Sequence, residues 1–240
     1  MCKNAVLLRD IIFKYDPFFA SAETQKIFLR DPDNIRVERM IEQTMALVGG
    51  YKSVGDCPIE GVHKDFSDGS ECKTASITSN ASGTSKNSFR FAITSVRSSS
   101  GIKKTGDLRV VIYNPHLDKC HFMFIPNSLL QNGLTIRKTT DNRGELEGRW
   151  NYKKNSFSKY DYFIVDSFEE LATMTTEKLR MKRNLEIAYY TGAYGAIDQF
   201  KRDAAGLYAI LDENPYDINE EPELHTAFEE GVEDAGGAIF

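Results

Sequence analysis

The side chains best suited to chemistry lie in one short segment, residues 63–75, which reads His-Lys-Asp-Phe-Ser-Asp-Gly-Ser-Glu-Cys-Lys-Thr-Ala. Within it, Asp65 and Glu71 offer the carboxylate oxygens that hard divalent cations prefer. A bound divalent cation withdraws charge from a phosphate and lowers the pKa of a bound water. Lys73 can orient or deprotonate that water and stabilise developing negative charge. The segment therefore has the residue types needed for phosphodiester hydrolysis.

The turn inside this segment decides whether the three side chains meet. Residues 67–69 read Ser-Asp-Gly, which is typical of a three-residue hairpin loop with its glycine in the left-handed conformation. In that register Asp65 faces Glu71, and Lys73 shares their side of the sheet because it lies two residues beyond Glu71. A two-residue Asp-Gly turn is the alternative, and it would place Asp65 opposite Cys72 and away from Glu71. The glycine at the third loop position favours the first register.

Helices and strands are both expected around this segment. An amphipathic helix is predicted from about Ile35 to Val48, ending at Gly49-Gly50. Short β-rich runs separated by turn residues follow at Gly61–Phe66, Glu71–Thr78, Phe89–Val96, Leu108–Asn114, Cys120–Ile125 and Tyr162–Asp166. Helices are then expected at Glu169–Met174 and over residues 177–211, the second broken near Gly192 or Gly195.

Asp65, a hairpin and then Glu71-Cys72-Lys73 resemble the D…(D/E)xK motif of the PD-(D/E)xK nuclease superfamily, and particularly its type II restriction endonucleases. The resemblance covers about residues 35–78, and Lys64 stands where the family often has proline. It implies an α/β fold (α+β in some schemes) with a restriction-endonuclease-like core. Such a core has a central mixed β-sheet flanked by helices, and a helical C-terminal part would follow it here.

The resemblance also implies roles for individual residues. The catalytic set would be Asp65, Glu71 and Lys73, and the cofactor would be Mg²⁺. Family members often place a glutamate near the metal on the helix before the hairpin. The implied metal ligands are Asp65, Glu71, the backbone carbonyl of Cys72, and either Glu38 or Glu42.

Two other interpretations of the same residues stay open. The segment could be a surface hairpin with an ordinary Asp-Gly turn and an exposed Glu–Lys pair, because such pairs are common on half-exposed sheets. A zinc site could also be imagined, although the spacing of its candidate ligands fits no structural zinc pattern. Those candidates are Cys57, His63, Cys72, Cys120 and His121.

Charge is distributed unevenly along the chain. The net charge is −5, yet residues 36–160 hold 19 Lys+Arg against 12 Asp+Glu, whereas residues 161–240 hold 6 against 18. A basic body can attract DNA phosphates, while an acidic C-terminus would lie away from them. Candidate DNA contacts in the loops after the motif are Lys86, Arg90, Arg97, Lys103 and Lys104. Further basic residues that could track the backbone, beside Trp150 and Tyr152, are Arg137, Lys138, Arg143, Arg149, Lys153 and Lys154.

Motif and resemblance together predict a Mg²⁺-dependent, sequence-specific endonuclease on double-stranded DNA, of type II restriction kind, acting as a homodimer. One alternative is a structure-selective repair, recombination or phage-type nuclease. Another is a non-enzymatic nucleic-acid-binding or interaction protein whose acidic tail is the functional part.

The expected organisation is a single nuclease domain over residues 1–211, with its catalytic core at about 35–166 and a helical part at 167–211. An acidic, mobile tail over residues 212–240 would follow. No apolar stretch is long enough to span a bilayer, and charge interrupts the N-terminus too early for a signal peptide. An intracellular, cytoplasmic location without membrane association is therefore expected.

Overall fold

The computed structural model describes residues 11, 14–15, 37–52, 58–59, 62–63, 65–78, 87–96, 106–141, 143–202 and 210–239. The chain forms two compact units, Met1–Met174 and Thr175–Phe240. This boundary differs from the expected single domain over residues 1–211 with a separate tail. Among the helices of the described ranges, none combines the length and the apolar character that crossing a membrane requires.

The first unit contains both strands and helices, and their order along the chain agrees with a mixed α and β class. The helices whose bounds the described residues give are α1 (Val37–Gly49), α2 (Asn127–Asn132) and α3 (Phe168–Thr173), with a 3₁₀ helix at Ser158–Phe163. Its strands are β1 (Pro58–Ile59), β2 (Val62–His63), β3 (Glu71–Ser76), β4 (Ser88–Thr94), β5 (Leu108–Asn114), β6 (Lys119–Ile125), β7 (Glu145–Asn151) and β8 (Ile164–Val165).

A four-stranded mixed sheet with the order β3-β5-β6-β8 is the centre of this unit. Strand β3 runs parallel to β5, with Glu71 opposite Leu108, while β6 is antiparallel to both β5 and β8. All seven residues of β5 are buried, as expected for a strand covered on both faces. Among the strands that the structure describes, β3 stands at one end of this order.

The pairing of β3 differs from the predicted hairpin. The expected ladder joined residues 61–66 to residues 71–78, but β2 pairs with β1 and β3 pairs with β5. Residues 60, 61 and 64 lie outside the described residues. A run as apolar as Leu108–Asn114 gains most by lying in the middle of a sheet, and it takes β3 as one of its two neighbours.

A second, two-stranded sheet joins β4 to β7 in antiparallel register. Its inner side is aromatic: Phe91 packs edge-on against Phe157 and Tyr160, with ring centroids 5.4 Å apart in both cases. Strand β7 was not among the predicted strands, although its buried residues Leu146, Gly148 and Trp150 alternate as a strand requires. The charged residues Glu147 and Arg149 occupy the alternate, outward positions, and glycine at position 148 weakens the apolar signal of the strand in the sequence.

Helix α1 confirms the amphipathic helix predicted before the motif. Its residues Ile41, Met45 and Ala46 are buried, and it packs against α3 in the same unit. Gly50 follows with φ at +72°, the left-handed conformation that commonly ends a helix. The helix therefore fixes the chain a few residues before the motif segment.

The second unit consists mainly of two long helices, α4 (Thr176–Arg202) and α5 (Pro222–Ile239). Helix α4 is not broken at Gly192 or Gly195, which corrects the prediction. A Cβ added to Gly192 would overlap the carbonyl oxygen of Phe228, and one added to Gly231 would overlap that of Tyr189. These two glycines let the helix backbones approach closely rather than ending the helix.

Most of the acidic segment predicted to be a mobile tail is helix α5. Its side chains Phe228, Val232 and Ala235 form a buried cluster with Ala196 of α4. The ten acidic residues of 212–234 had suggested a solvated tail. The apolar positions between them are spaced three and four apart, so one face of the helix can be buried while the charges occupy the other.

Candidate active site

The motif turn adopts the three-residue loop predicted from the sequence. The backbone N–H of Phe66 donates to the carbonyl of Ser70 at 3.2 Å, and the N–H of Gly69 donates to the carbonyl of Phe66 at 3.0 Å. Gly69 has φ at +84°, which a residue with a side chain rarely adopts. Asp68 accepts from the backbone N–H and the hydroxyl of Ser70, at 3.0 and 2.6 Å, so its carboxylate closes the turn.

The turn brings Asp65, Glu71 and Lys73 together. Lys73 Nζ lies 2.9 Å from Glu71 Oε2 and 3.7 Å from Asp65 Oδ2. The same ammonium donates to the carbonyl oxygen of Cys72 at 3.0 Å. Asp65 Oδ2 also accepts from the backbone N–H of Cys72 at 2.8 Å. Three oxygen atoms from three residues therefore surround one cationic nitrogen.

Burial distinguishes this group from an ordinary surface ion pair. The side chains of Glu71, Lys73 and Asp65 are 1%, 15% and 19% exposed. Burial by itself would lower the pKa of Lys73, but the carboxylates of Glu71 and Asp65 outweigh it and raise that pKa above its usual value. The sequence also allowed a surface hairpin with an exposed cross-strand Glu–Lys pair. The carboxylate of Glu71 is too buried for that interpretation.

Cys72 contributes its backbone and not its thiol. In a strand its side chain points to the opposite face from those of Glu71 and Lys73. The side chain is buried, and burial raises the pKa of the thiol far above its ordinary range. A thiol in this state is a poor nucleophile and a poor metal ligand, whereas the carbonyl oxygen lies beside the two carboxylates.

The structure describes only one of the two helix glutamates proposed as metal ligands. Glu42 on α1 is near enough to the Cys72 thiol to contribute to its raised pKa, after the larger effects of burial and of other charges. This places Glu42 near β3, within reach of electrostatic interaction. The side chain of Glu38 lies outside the described residues.

Arg109 is a functional-site neighbour that the sequence analysis missed. It lies in β5 next to Cys72 across the parallel pair and is 4% exposed. Its guanidinium lies 3.1 Å from Asp68 Oδ2 and also donates to the hydroxyl of Ser70. It donates in addition to the carbonyls of Leu171 and Met174, at 3.2 and 3.1 Å. One buried cation thus ties the motif turn to the end of α3.

The sequence contained a signal for Arg109. A charged residue within the apolar run Leu-Arg-Val-Val-Ile-Tyr-Asn is rarely buried without partners. Its partners could not be identified, because Asp68 and the α3 carbonyls are distant in the chain. Tyr51 completes the cluster, with its ring 5.1 Å from the guanidinium carbon and 4.8 Å from the ring of Phe66.

Of the five candidate DNA contacts in the loops after the motif, only Arg90 has a described position. It is paired with two acidic residues of β7, since its guanidinium lies 3.0 Å from Glu145 and 2.8 Å from Glu147. Arg137 contacts the same two glutamates, so these four charges neutralise one another on the outer side of the β4–β7 sheet. The remaining predicted contacts lie outside the described residues, namely Lys86, Arg97, Lys103 and Lys104.

The donor set at the motif suits a hard cation better than zinc. Two carboxylates and a carbonyl offer only oxygen, which Mg²⁺ prefers. Across the ranges that the structure describes, no group of three or more His, Cys, Asp or Glu side chains could hold a metal ion, so a Mg²⁺ site here would depend on the carbonyl and on water. His121, a residue of the imagined zinc site, lies 3.0 Å from the amide nitrogen of Asn114, while Cys57 lies outside the described residues.

Comparison with known proteins identifies no relative of this chain. No family model matches the chain. Searches of curated proteins and of solved structures give no match either. The assignment of a function to the site therefore depends on the residues themselves.

Proposed function

We propose that this protein is a Mg²⁺-dependent endonuclease that hydrolyses phosphodiester bonds of double-stranded DNA, with sequence specificity of the type II restriction kind. The observation that carries the proposal is the group of three oxygens, from Asp65, Glu71 and the Cys72 carbonyl, within 4 Å of the Lys73 ammonium. Such a group of oxygens attracts a cation. Burying charged side chains costs free energy, so a buried group of this kind is expected to serve either folding or chemistry.

Each residue has a role that follows from its position. Asp65 and Glu71 would hold Mg²⁺, and the Cys72 carbonyl would add a third oxygen. When bound, Mg²⁺ supplies charge neutralisation at the scissile phosphate and acidifies nearby water. Lys73 donates hydrogen bonds into the same space, so it can orient the attacking water and stabilise the negative charge that develops on phosphate oxygens.

Basic residues of the first unit offer a place for the DNA backbone. Lys138, Arg149, Lys153 and Lys154 are all exposed, and three of them lie in or just after β7. Trp150, in contrast, is fully buried, so it packs in the core and is unavailable for base stacking. Exposed Lys and Arg are suited to phosphate contacts, which position DNA without reading its sequence.

A structural role for the same residues is the competing explanation, and one observation favours it. Lys73 already has hydrogen-bonding partners in Glu71 and Cys72, so the group could act only as a buried ion pair. In that case the chain would be a binding or interaction protein. A nuclease that selects DNA structure instead of sequence would use the same site and differ only in substrate.

Incubation of the purified protein with unmethylated plasmid and phage DNA, in Mg²⁺ or in EDTA, tests the proposal. We expect discrete fragments in Mg²⁺, none in EDTA, and none from the Lys73→Ala variant. Lys119→Ala is a matched control because it removes an exposed strand lysine away from the motif, and it should cleave like the wild type. A smear, or cleavage of branched DNA alone, would indicate a non-specific or structure-selective nuclease. Intact DNA under every condition, including modified and branched substrates, would refute the proposal.

A further inference from the structure

The motif turn rests against the chain just before β5. The N–H of Glu71 donates to the carbonyl of Asp107 at 2.9 Å, and the carboxylate of Asp107 accepts in turn from the N–H of Asn127 at 2.7 Å. Gly106 lies so close to the turn that a Cβ added to it would overlap the carbonyl oxygen of Gly69. The backbone just before β5 therefore limits where the turn and Glu71 can lie.

Arg109 holds the same turn with its side chain. Its guanidinium forms the ion pair with Asp68 and donates to the hydroxyl of Ser70. Because Arg109 is opposite Cys72 in the parallel pair, its side chain lies on the face of the sheet opposite to that of Glu71. A positive charge on that face cannot bind a metal ion beside Glu71, so Arg109 can act on the site only through the turn.

The two arms of the turn are anchored to different parts of the first unit. Ser67, on the arm that follows Asp65, exchanges two hydrogen bonds with the backbone of Lys52, at 2.9 and 3.0 Å. The arm that leads into Glu71 is anchored instead by the start of β5. The distance between the carboxylates of Asp65 and Glu71 therefore depends on both anchors, and loosening one of them changes that distance.

This dependence matters most for a small divalent cation. Mg²⁺ requires near-ideal octahedral geometry with oxygens about 2.0–2.1 Å away, whereas Ca²⁺ accepts irregular arrangements with oxygens at about 2.3–2.6 Å. The carboxylates of Asp65 and Glu71 already meet at one cationic nitrogen, since Lys73 Nζ lies 3.7 and 2.9 Å from their oxygens. Residues that keep the turn in place should therefore matter more for the binding of Mg²⁺ than for that of Ca²⁺.

We propose that Arg109 and Gly106 are positioning residues of the candidate metal site, which hold Glu71 at the distance from Asp65 that one Mg²⁺ requires. Arg109 does so through its side-chain contacts with the turn, and Gly106 does so by leaving room for the turn beside β5. The inference rests on the proposed function for its cation. It does not depend on which DNA is the substrate.

Titration of the full chain with MgCl₂ and with CaCl₂, measured by isothermal titration calorimetry, tests the proposal without any DNA. Arg109→Lys keeps the charge but loses the fork of donors that reaches several partners at once, and Gly106→Ala pushes the turn away from β5. We expect each change to weaken Mg²⁺ binding by about tenfold or more, the usual cost of losing a residue that orients metal ligands. Ca²⁺ binding should weaken by less than about threefold. A loss of stability alone would leave the ratio of the two affinities unchanged.

Matched substitutions away from the turn serve as controls. Arg180→Lys makes the same change at an exposed arginine of α4, and Gly148→Ala places a methyl group against the ring of Phe91 in the β4–β7 sheet. Both controls should bind the two cations as the wild type does. Urea denaturation should show that all four variants are folded.

Each result of the titrations decides the inference. Wild-type Mg²⁺ affinity in folded Arg109→Lys and Gly106→Ala would overturn it, and so would an equal loss of Mg²⁺ and Ca²⁺ binding. A wild type that binds neither cation would overturn it together with the metal dependence of the proposed function. A wild type whose Mg²⁺ binding depends on both residues, but which leaves every DNA substrate intact, would support the inference and refute the nuclease proposal alone.

Discussion

Replacing Arg109 with methionine should destabilise the protein strongly and disturb the motif turn. The guanidinium is buried, and it makes an ion pair with Asp68 and hydrogen bonds to Ser70, Leu171 and Met174. Methionine matches the length of the side chain but provides no donor. Asp68 would lose its counter-charge, and two carbonyls near the end of α3 would lose their hydrogen bonds inside the protein.

The magnitude follows from the number of partners left unsatisfied. Removing one member of a buried ion pair costs about 3–5 kcal/mol, and each buried carbonyl left without a donor costs about 1 kcal/mol or more. Asp68 is 36% exposed, so water recovers part of its loss. We therefore expect the free energy of unfolding to fall by about 4 kcal/mol in Arg109→Met. Asp68→Asn should cost only about 1 kcal/mol, because Arg109 keeps its other acceptors.

Urea denaturation followed by circular dichroism measures both changes, with Arg149→Met as a control. Arg149 is an exposed arginine on β7, and its loss should change the free energy of unfolding by less than about 0.5 kcal/mol. If Arg109→Met unfolded within about 1 kcal/mol of the wild type, the guanidinium would not hold the turn in the way described. A cost for Asp68→Asn equal to that of Arg109→Met would also contradict the reasoning, because it would assign the whole effect to one ion pair.

Three further predictions concern other parts of the first unit. Burial, with a smaller contribution from Lys119, lowers the pKa of His121 to about 4. Since an unfolded histidine titrates near 6.5, the free energy of unfolding should fall by about 3 kcal/mol as the pH drops from 6.5 to 4. His121→Gln should remove that part of the acid sensitivity, as measured by urea titrations at several pH values. Gly148→Ala should cost about 1–3 kcal/mol in thermal unfolding because the new methyl group would overlap the ring of Phe91, whereas an equal tolerance of alanine at positions 148 and 237, where space is open, would contradict this packing. The buried Cys72 thiol should resist a thiol reagent at neutral pH until the protein unfolds, while the half-buried Cys120 should react faster, and rapid labelling of both would show that β3 opens easily.

The local geometry of the motif was predictable because it depends on neighbouring residues. Ser-Asp-Gly specifies a three-residue loop through the left-handed preference of glycine, and the alternation of strand side chains then places Glu71 and Lys73 on one side. The amphipathic helix before the motif was predictable for the same reason, since periodicity is a local property.

Features that depend on distant residues were not predictable in the same way. The parallel pairing of β3 with β5 is determined by competition among all strands for places in the sheet, and the apolar run of β5 takes the central one. Gly192 resembles a helix breaker in the sequence, but the carbonyl of Phe228 that approaches it comes from another helix. The acidic residues of α5 suggested a solvated tail because the buried partners of Phe228 and Val232 lie on α4.

The most direct test of the central claim compares DNA cleavage by the wild type and by Glu71→Gln at saturating Mg²⁺, on a substrate that the wild type cuts. Glutamine keeps the size of the side chain but removes the charge that would bind the metal, so we expect the single-turnover rate to fall by about a thousandfold or more. Urea denaturation of the same variant should show a folded protein, and DNA binding in Ca²⁺ should be retained, which separates lost chemistry from lost structure. Cleavage by folded Glu71→Gln within about tenfold of the wild-type rate would contradict the claim that Asp65, Glu71 and Lys73 form the catalytic site.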